Sequence, residues 1–327
     1  MRKTTVVDET DAKILRILLR ESRTSFTDIA KSCGISVGAV RMRYAQLKEN
    51  GVVTGETMQV SPHSLGYRYV SDLGIQTSAD QEEAVLEFLK SKPYLSHTGG
   101  PFGKYNFWTK VVLHDMQELT GILADLESNP SIKHVDTFTW AEAVNLERVE
   151  NLVISPLAFE SPQKTLAVAN SVSFTEIKLD EKDRYIAKIL SSSSRTPFRK
   201  IASQLGISTK NVIQRYKRLR NKVLMYSTIT VDLTKLGYSA WAHMLIKITN
   251  RSKVAEVCSK LLQVPNIIVL IRYIGPYDLY ATLAVADFEQ LFKSEERIRR
   301  IDGIEHADLY LSPIYPKWPL NLFPSLL

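Results

Sequence analysis

Two stretches of forty residues decide how this chain is organised. They are DETDAKILRILLRESRTSFTDIAKSCGISVGAVRMRYAQL at residues 8–47 and DEKDRYIAKILSSSSRTPFRKIASQLGISTKNVIQRYKRL at residues 180–219. They align without a gap at a constant offset of 172, and 19 of the 40 positions are identical. Unrelated sequences of average composition would share only about two or three positions. The chain therefore contains an internal duplication.

The duplication continues beyond these stretches. Residues 65–67, Leu-Gly-Tyr, match residues 236–238 at an offset of 171, so the second connection is one residue shorter. Residues 103–106, Gly-Lys-Tyr-Asn, then match residues 275–278, Gly-Pro-Tyr-Asp, at an offset of 172. Each half is thus a complete module, and the unmatched residues 144–178 are predicted to connect the two.

The composition limits the class of protein. The 327 residues are 44% hydrophobic and 24% charged, which excludes wholesale disorder and fibrous repeats. The longest apolar runs fall far short of the roughly 18 residues of a membrane span, and the N-terminus lacks a signal pattern. We therefore expect a cytoplasmic protein with no membrane partner. Two cysteines exclude a disulfide framework or a four-cysteine metal site, and the net charge of +7 favours a polyanionic partner.

Each copy of the repeat predicts three short helices. Asp8 and Asp180 are typical N-caps of the first helix. Gly34 can supply the positive φ that ends the second helix, and Ser36 can cap the third. The third helix carries an apolar stripe in both copies, namely Val40, Tyr44 and Leu47, and Val212, Tyr216 and Leu219. This order is that of a helix-turn-helix, whose third helix lies in the DNA major groove.

The exposed positions of the third helices suit double-stranded DNA. Lys and Arg neutralise phosphates, Arg can read guanine, and Asn or Gln can read adenine. The predicted DNA-binding residues are Ser36, Val37, Arg41, Met42, Arg43 and Lys48 in the first copy, and Thr209, Lys210, Asn211, Gln214, Arg215, Lys217 and Arg218 in the second. Any surface helix can carry such charges, but two copies with an equivalent arginine favour DNA binding.

The residues after the third helices differ between the copies. Residues 50–53, Asn-Gly-Val-Val, predict a turn into a wing strand, whereas residues 222–225, Lys-Val-Leu-Met, contain no glycine. We therefore expect the second wing to be altered.

The second part of each module alternates strands and helices in the order βαββαβ. The predicted elements of the first copy are 69–76, 80–90, 95–98, 107–113, 116–126 and 134–140, and those of the second are 241–248, 254–262, 267–273, 279–285, 288–298 and 304–311. This order predicts a ferredoxin-like sandwich of two helices on a four-stranded antiparallel sheet.

The predicted fold class is therefore α+β, with two tandem repeats of a winged helix-turn-helix and a ferredoxin-like sandwich. The expected domains are a helix-turn-helix at 1–60, a sandwich at 64–143, the connector at 144–178, a second helix-turn-helix at 179–232, a second sandwich at 235–314 and a tail at 315–327. The tail is rich in proline and aromatic residues, and both a packed arm and a disordered tag fit it.

A Gly-x-Tyr-Asn or Gly-x-Tyr-Asp segment lies between the two middle strands of each sandwich. Its glycine permits close backbone approach, and the Asn or Asp can accept a hydrogen bond from the amine of a ligand. An ordinary hairpin turn favours the same residues, and spacing alone favours that interpretation.

A winged helix-turn-helix followed by a ferredoxin-like domain with Gly-x-x-Asp at the middle hairpin resembles the leucine-responsive and asparagine-regulator (Lrp/AsnC) family of prokaryotic transcription regulators. The resemblance implies a second domain that dimerises and binds small effectors, commonly amino acids, near that hairpin. The effector-binding residues that it implies are Gly103, Tyr105, Asn106, Gly275, Tyr277 and Asp278. Because Asn106 offers no charge to an ammonium group, one competent and one degenerate site per chain are expected. No cofactor is implied.

The fusion of two modules implies that one chain corresponds to a family dimer. In this internal pseudo-dimer the two sandwiches pack sheet against sheet, and two unlike reading heads meet successive major grooves about 34 to 36 Å apart. The expected DNA site is an imperfect palindrome. Further association into homo-oligomers is expected.

Two alternatives remain open. Siroheme decarboxylases resemble this two-part fold and can occur as fused pairs, but they would need haem-facing His and Arg residues around the middle hairpin. Gly103 and Gly275 stand there instead, and the motifs of zinc proteases, dithiol redox proteins and P-loop nucleotidases are absent. We therefore expect a protein that is not an enzyme. The other alternative is a ligand sensor without DNA binding, against which the basic second helix argues.

Overall fold

A computed structural model describes residues 7–100, 103–146, 152 and 176–327. Most of the predicted connector lies outside these residues. Within them, no helix combines the length and apolar character that crossing a membrane requires.

The elements follow the predicted order. The first module comprises α1 (Glu9–Arg20), α2 (Phe26–Cys33), α3 (Val37–Glu49), β1 (Val53–Val60), β2 (Tyr69–Thr77), α4 (Glu82–Lys90), β3 (Leu95–Gly99), β4 (Phe107–Leu113), α5 (Met116–Glu127) and β5 (Ile132–Leu146). The second comprises α6 (Glu181–Ser192), α7 (Phe198–Leu205), α8 (Thr209–Leu219), β6 (Leu224–Val231), β7 (Ala240–Ile248), α9 (Val254–Leu261), β8 (Ile267–Ile274), β9 (Leu279–Val285), α10 (Phe288–Arg299) and β10 (Ile304–Pro313). The main difference from prediction is β5, which extends to Leu146.

The predicted caps are confirmed. The Asp8 carboxylate accepts the backbone N–H of Asp11 at 2.7 Å, and the Asp11 carboxylate accepts that of Asp8, which forms a capping box at α1. The same box begins α6. Gly34 and Gly206 end α2 and α7 with φ of +67° and +62°. Because a side chain strains this left-handed backbone, glycine is the residue that suits both positions.

The strands that follow α3 and α8 pair with each other. β1 and β6 form an antiparallel two-stranded ribbon, so neither folds back as a wing on its own module. We call the three helices α1–α3 the first head and the helices α6–α8 the second head. Ile229 and Val231 of β6 join the hydrophobic core of the first head, and Met58 and Val60 of β1 join that of the second. Each helical head is therefore completed by a strand of the other module.

The missing glycine of the second copy has a local substitute. Asn221 adopts a φ of +59° after α8, whereas Gly51 has +71° after α3. Asparagine is among the few residues that tolerate this conformation. The second strand therefore forms despite the one-residue deletion.

The two sandwiches share one eight-stranded sheet of order β10-β7-β9-β8-β5-β2-β4-β3. They join edge to edge, since the extended β5 pairs with β8 from Thr139 opposite Ile274 to Leu146 opposite Val269. Sheet-against-sheet packing also occurs, because the rings of Trp108 on β4 and Tyr280 on β9 lie only 6.4 Å apart. The prediction of facing sheets therefore missed the edge pairing, which the unexpected length of β5 provides.

The C-terminal tail packs as an arm on its own chain. The backbone of Trp318 pairs with Val231 at the edge of β6. Gln59 of β1 donates to the Leu320 carbonyl at 3.0 Å, and Asn321 donates to the Met58 carbonyl at 2.9 Å. The tail therefore lies against the ribbon that completes both heads.

Candidate nucleic-acid interface and inter-module cavity

The recognition helices expose most of the predicted DNA-binding residues. Their exposed members are Ser36, Arg41, Met42, Lys48, Thr209, Lys210, Asn211, Gln214, Lys217 and Arg218. Val37 differs because it is half-buried and packs against the core of the first head. Ser36 caps α3 by accepting the Ala39 N–H at 3.1 Å. Its hydroxyl is thus already engaged at the start of the helix.

The equivalent arginines tie each recognition helix to the first helix of its head. Arg43 lies 2.6 Å from the Asp8 carboxylate and 2.9 Å from that of Asp11. Arg215 makes the same two pairs in the second head, and its hydrogen bond lowers the pKa of Asp180 to about 2. The sequence carried this signal, since both copies share the acidic caps as well as the arginine. Each arginine therefore links the third helix of its copy to the first.

The remaining cations differ between the heads. Arg218 bonds the buried Asp183, and Lys48 lies 2.8 Å from Glu56. Arg41, Lys210 and Lys217 are exposed, and none forms an ion pair with a described residue. α8 therefore presents two unpaired cations and α3 presents one. Such cations are the groups that neutralise phosphates.

The two heads also contact each other directly. The hydroxyls of Ser22 and Ser194 lie 2.6 Å apart. The guanidinium of Arg23 lies 4.2 Å from the Phe198 ring centre, and Arg195 lies 4.8 Å from that of Phe26. The Ser-Arg-Thr shared by the two copies thus forms one contact between the heads, a role that the sequence pattern did not reveal.

The two glycine hairpins lie at the junction between modules. Gly103 has a φ of +60°, and a Cβ there would lie 2.1 Å from the Tyr310 ring of β10. A Cβ on Gly275 would lie 2.8 Å from the Thr137 carbonyl oxygen of β5. Each hairpin therefore packs against the last strand of the other module, and the close approach requires glycine.

The hairpin tyrosines anchor the same junction. The Tyr105 hydroxyl donates to Asp136 at 2.6 Å, and Tyr277 donates to Asp308 in the second module. Burial, together with the hydrogen bond to Asp136, raises the pKa of Tyr105 above its usual value. Tyr105 is almost fully buried, so only a ligand that enters the junction could reach it.

Asn106 and Asp278 have one structural role in common. Asn106 accepts the Thr77 N–H at 2.7 Å, and Asp278 accepts the Ile248 N–H at 3.1 Å, each at the end of the first sandwich strand. The charge of Asp278 is met by Arg251 at 3.2 Å. An effector amine would have to compete with that guanidinium, and effector binding at the hairpins stays a prediction.

A cavity of about 140 Å³ lies between the modules. All four tryptophans of the chain line it, although they are far apart in sequence: Trp108, Trp140, Trp241 and Trp318. Tyr280, Lys110 and His243 add to the wall, and Lys317 of the tail also lines it. This cavity could not be predicted from the sequence, because its lining residues come from seven strands and the tail.

Two polar clusters flank the cavity at equivalent positions of the modules, the first buried and the second half-buried. Asp72 of β2 is fully buried and accepts hydrogen bonds from Lys110, Trp140 at 2.6 Å and Tyr273 at 2.5 Å. Its counterpart on β7 is His243. Because the Lys110 ammonium meets the Asp72 carboxylate, the first cluster is an ion pair.

The second cluster is neutral. His243 is hydrogen-bonded to Tyr280 at 2.9 Å and to Ser312 at 2.8 Å. Burial lowers the pKa of His243 to about 3, so the imidazole carries no charge at neutral pH. Among the described residues, no cluster of three or more His, Cys, Asp or Glu side chains could hold a metal ion.

Comparisons with known proteins match both helical heads to helix-turn-helix families. A family described as winged helix-turn-helix DNA-binding matches residues 7–54, and the AsnC-type helix-turn-helix domain matches residues 179–220. The regulator LrpA of Pyrococcus abyssi is 36% identical over 146 residues, which cover 44% of this chain and all of that protein. The chain belongs to the Lrp/AsnC family of DNA-binding transcription regulators.

Other Lrp/AsnC members match similarly. The regulatory protein AsnC of Haemophilus influenzae is 31% identical over 119 residues, which cover 36% of this chain and 79% of that protein. Among solved structures, the siroheme decarboxylase NirDL aligns with 97% of this chain and 96% of its own, with a TM-score of 0.64 and 18% identity. At that identity the likeness shows a shared two-module fold.

Proposed function

We propose that one chain of this regulator binds double-stranded DNA as an internal pseudo-dimer that reads two unlike half-sites. The observation that carries the proposal is the exchange of strands between the heads. Because β1 completes the second head and β6 the first, the heads cannot turn independently without breaking their cores. The DNA site should therefore have one fixed spacing between half-sites.

The half-sites should differ because the recognition surfaces differ. α8 exposes Asn211 and Gln214, whose amides can bond adenine, beside Lys210 and Lys217. α3 exposes Arg41 and Met42, which can bond guanine and contact a thymine methyl group. The second head should supply more of the phosphate affinity. We further propose that the protein acts in the cytoplasm, where its DNA partner would be.

The test is selection of binding sites from random duplex DNA, followed by affinity measurements over a range of salt. Lys210→Ala and Lys217→Ala should each lower the salt slope by roughly one and weaken all sites about equally. Gln214→Ala should instead relax the preference at one base pair. Lys293→Ala, on the surface of α10, is the control and should change neither. Failure to enrich any site would refute the proposal.

A separate stability control is needed for substitutions of three arginines, Arg43, Arg215 and Arg218. Their substitution would remove ion pairs to the acidic residues of α1 or α6, so weaker DNA binding could follow from a displaced helix. Thermal unfolding of each variant distinguishes the two causes, because loss of a phosphate contact leaves the stability unchanged. We propose that they position the recognition helices.

We further propose that a small effector such as an amino acid binds at a glycine hairpin. Asp278 belongs to the competent site, and Asn106 belongs to the degenerate one. Calorimetric titration of amino acids should give at most one site per chain, and Asp278→Asn should abolish it. Two equal sites would contradict the difference between the hairpins. We also propose that the chain associates into further homo-oligomers, and sedimentation in an analytical ultracentrifuge would measure their size.

The likeness to NirDL over the whole chain makes a siroheme decarboxylase-like enzyme the second candidate. The name of that protein implies a tetrapyrrole substrate, and adding an iron porphyrin to this chain tests for such a ligand. A saturable haem-type absorption band would favour the enzyme. The cavity of about 140 Å³ is below the roughly 300 Å³ at which ordinary small-molecule sites begin, so we expect no band.

A further inference from the structure

We propose that the cavity between the modules binds a small planar aromatic carboxylate. The size of the cavity suits such a ligand. The volume of about 140 Å³ is close to that of an engineered protein cavity of roughly 150 Å³ that holds benzene. The cavity therefore has room for one aromatic ring.

The walls suit a flat ring. Trp108, Trp241 and Trp318 are each at most 9% exposed, and the ring of Tyr280 lies 6.4 Å from that of Trp108. Aromatic rings pack favourably at centroid separations of about 4.5 to 7 Å. Trp108 and Tyr280 therefore pack on each other, and a planar ligand in the cavity would lie against indole and phenol side chains.

An unmatched donor points to a ligand with an acceptor group. The Trp318 side chain is 3% exposed, and its indole N–H finds no acceptor among the described residues. Leaving a buried donor without a partner is unfavourable, and native proteins rarely do so. A carboxylate oxygen in the cavity would accept this hydrogen bond.

The charge of the lining favours an anion over a cation. Among the described residues that line the cavity none is acidic, while Lys110 and Lys317 are basic. Lys110 is already neutralised by Asp72 and lies 4.9 Å from the Trp140 ring centre. Lys317 is exposed and forms no ion pair with a described residue, so its ammonium is available to a carboxylate.

The tail closes this cavity. Tyr315, Lys317, Trp318, Leu320 and Leu322 all belong to it and line the space. Backbone pairing of Trp318 with Val231 holds the indole in place. The ligand site therefore exists only when the tail is docked, and none of the six predicted effector-binding residues lines it.

Benzoate is the probe for the full chain, with calorimetry and tryptophan emission as readouts. Because every tryptophan lines the cavity, one bound ring should change the emission strongly and saturably, with one site per chain. The neutral benzyl alcohol and the cation tetramethylammonium should bind at least about tenfold more weakly. Comparable binding of either would overturn the proposal, as would the absence of a saturable change with benzoate.

Two variants test the residues that would hold the carboxylate. Lys317→Gln and Trp318→Phe should each weaken benzoate binding by about tenfold, since each removes one partner of the carboxylate. Lys293→Gln, on the surface of α10, is the matched control and should have no effect. Lys317→Gln keeps the test valid if Trp318→Phe does not fold, because Lys317 is exposed. Unchanged affinity in a folded Lys317→Gln protein would overturn the proposal.

Discussion

The two polar clusters beside the cavity occupy equivalent positions but use different chemistry. In the first module Asp72, Lys110 and Trp140 form a buried ion pair with an indole donor. In the second, His243 and Ser312 form part of a neutral hydrogen-bonded cluster. In a symmetric dimer the two positions would be identical by necessity. Fusion of the modules released that constraint, and each side of the cavity acquired its own polarity.

The largest difference in stability between the two clusters should appear when the Asp72 carboxylate is removed. Asp72→Asn leaves the buried Lys110 ammonium without its counter-charge, which typically costs about 3 to 5 kcal/mol of unfolding free energy. Denaturant unfolding measures the loss. Replacing both partners, with Asp72→Leu and Lys110→Met, should recover most of it. A loss below about 1 kcal/mol in the single variant would show that the ion pair is not buried in solution.

The neutral cluster should respond to acid instead. Because the folded pKa of His243 is about 3 and the unfolded value is 6.5, the unfolded chain binds more protons between these limits. Stability due to this group is complete above pH 6.5 and falls by about 1.4 kcal/mol for each pH unit below it, until about pH 3. His243→Gln should remove that component from unfolding curves measured between pH 7 and pH 4.

The unaltered protein is the reference for the acid experiment. If His243→Gln retains the full acid dependence, the imidazole is accessible to protons in the folded state.

The glycine hairpins provide a third comparison between the modules. Gly103→Ala combines a left-handed backbone with contact to a ring, and Gly275→Ala places a methyl group against a backbone carbonyl. Each should lower the unfolding free energy by about 1 to 3 kcal/mol. Gly121→Ala in α5 has open space around it and should stabilise by up to about 1 kcal/mol. Equal behaviour of all three would refute the close approach.

The smallest effect is expected at the residues that end the first sandwich strands. Asn106→Asp would place a carboxylate beside Glu82, whose oxygen now accepts the amide N–H at 2.6 Å. Asp278→Asn would remove the charge that meets Arg251. Glu82 and Arg251 are exposed, but Asp278 itself is buried and also meets Lys247, so we expect losses of about 1 kcal/mol in thermal unfolding. The double exchange tests whether the two hairpins are interchangeable.

The secondary structure could be predicted because the signals that determine it lie within short segments of the chain. The duplicated motif, the caps at Asp8 and Asp180 and the glycine turns depend on residues within a few positions of one another. Strand and helix periodicity likewise gave the βαββαβ order of both sandwiches to within a few residues, except at the end of β5. The family and its DNA-binding heads could be inferred from these signals.

The contacts between modules were not predictable in the same way. Pairing of β1 with β6, joining of β5 to β8 and docking of the tail all depend on surfaces far apart in sequence. Periodicity shows which face of a strand is apolar but not which strand covers its edge.

The sequence by itself determined two copies of a helix-turn-helix and sandwich module, because helix caps, turns and side-chain periodicity are properties of short segments. Only the tertiary structure decided that the heads share their cores and that four distant tryptophans enclose one cavity. The physical reason is that burial and close packing act between whichever surfaces the chain brings together, without regard to sequence separation.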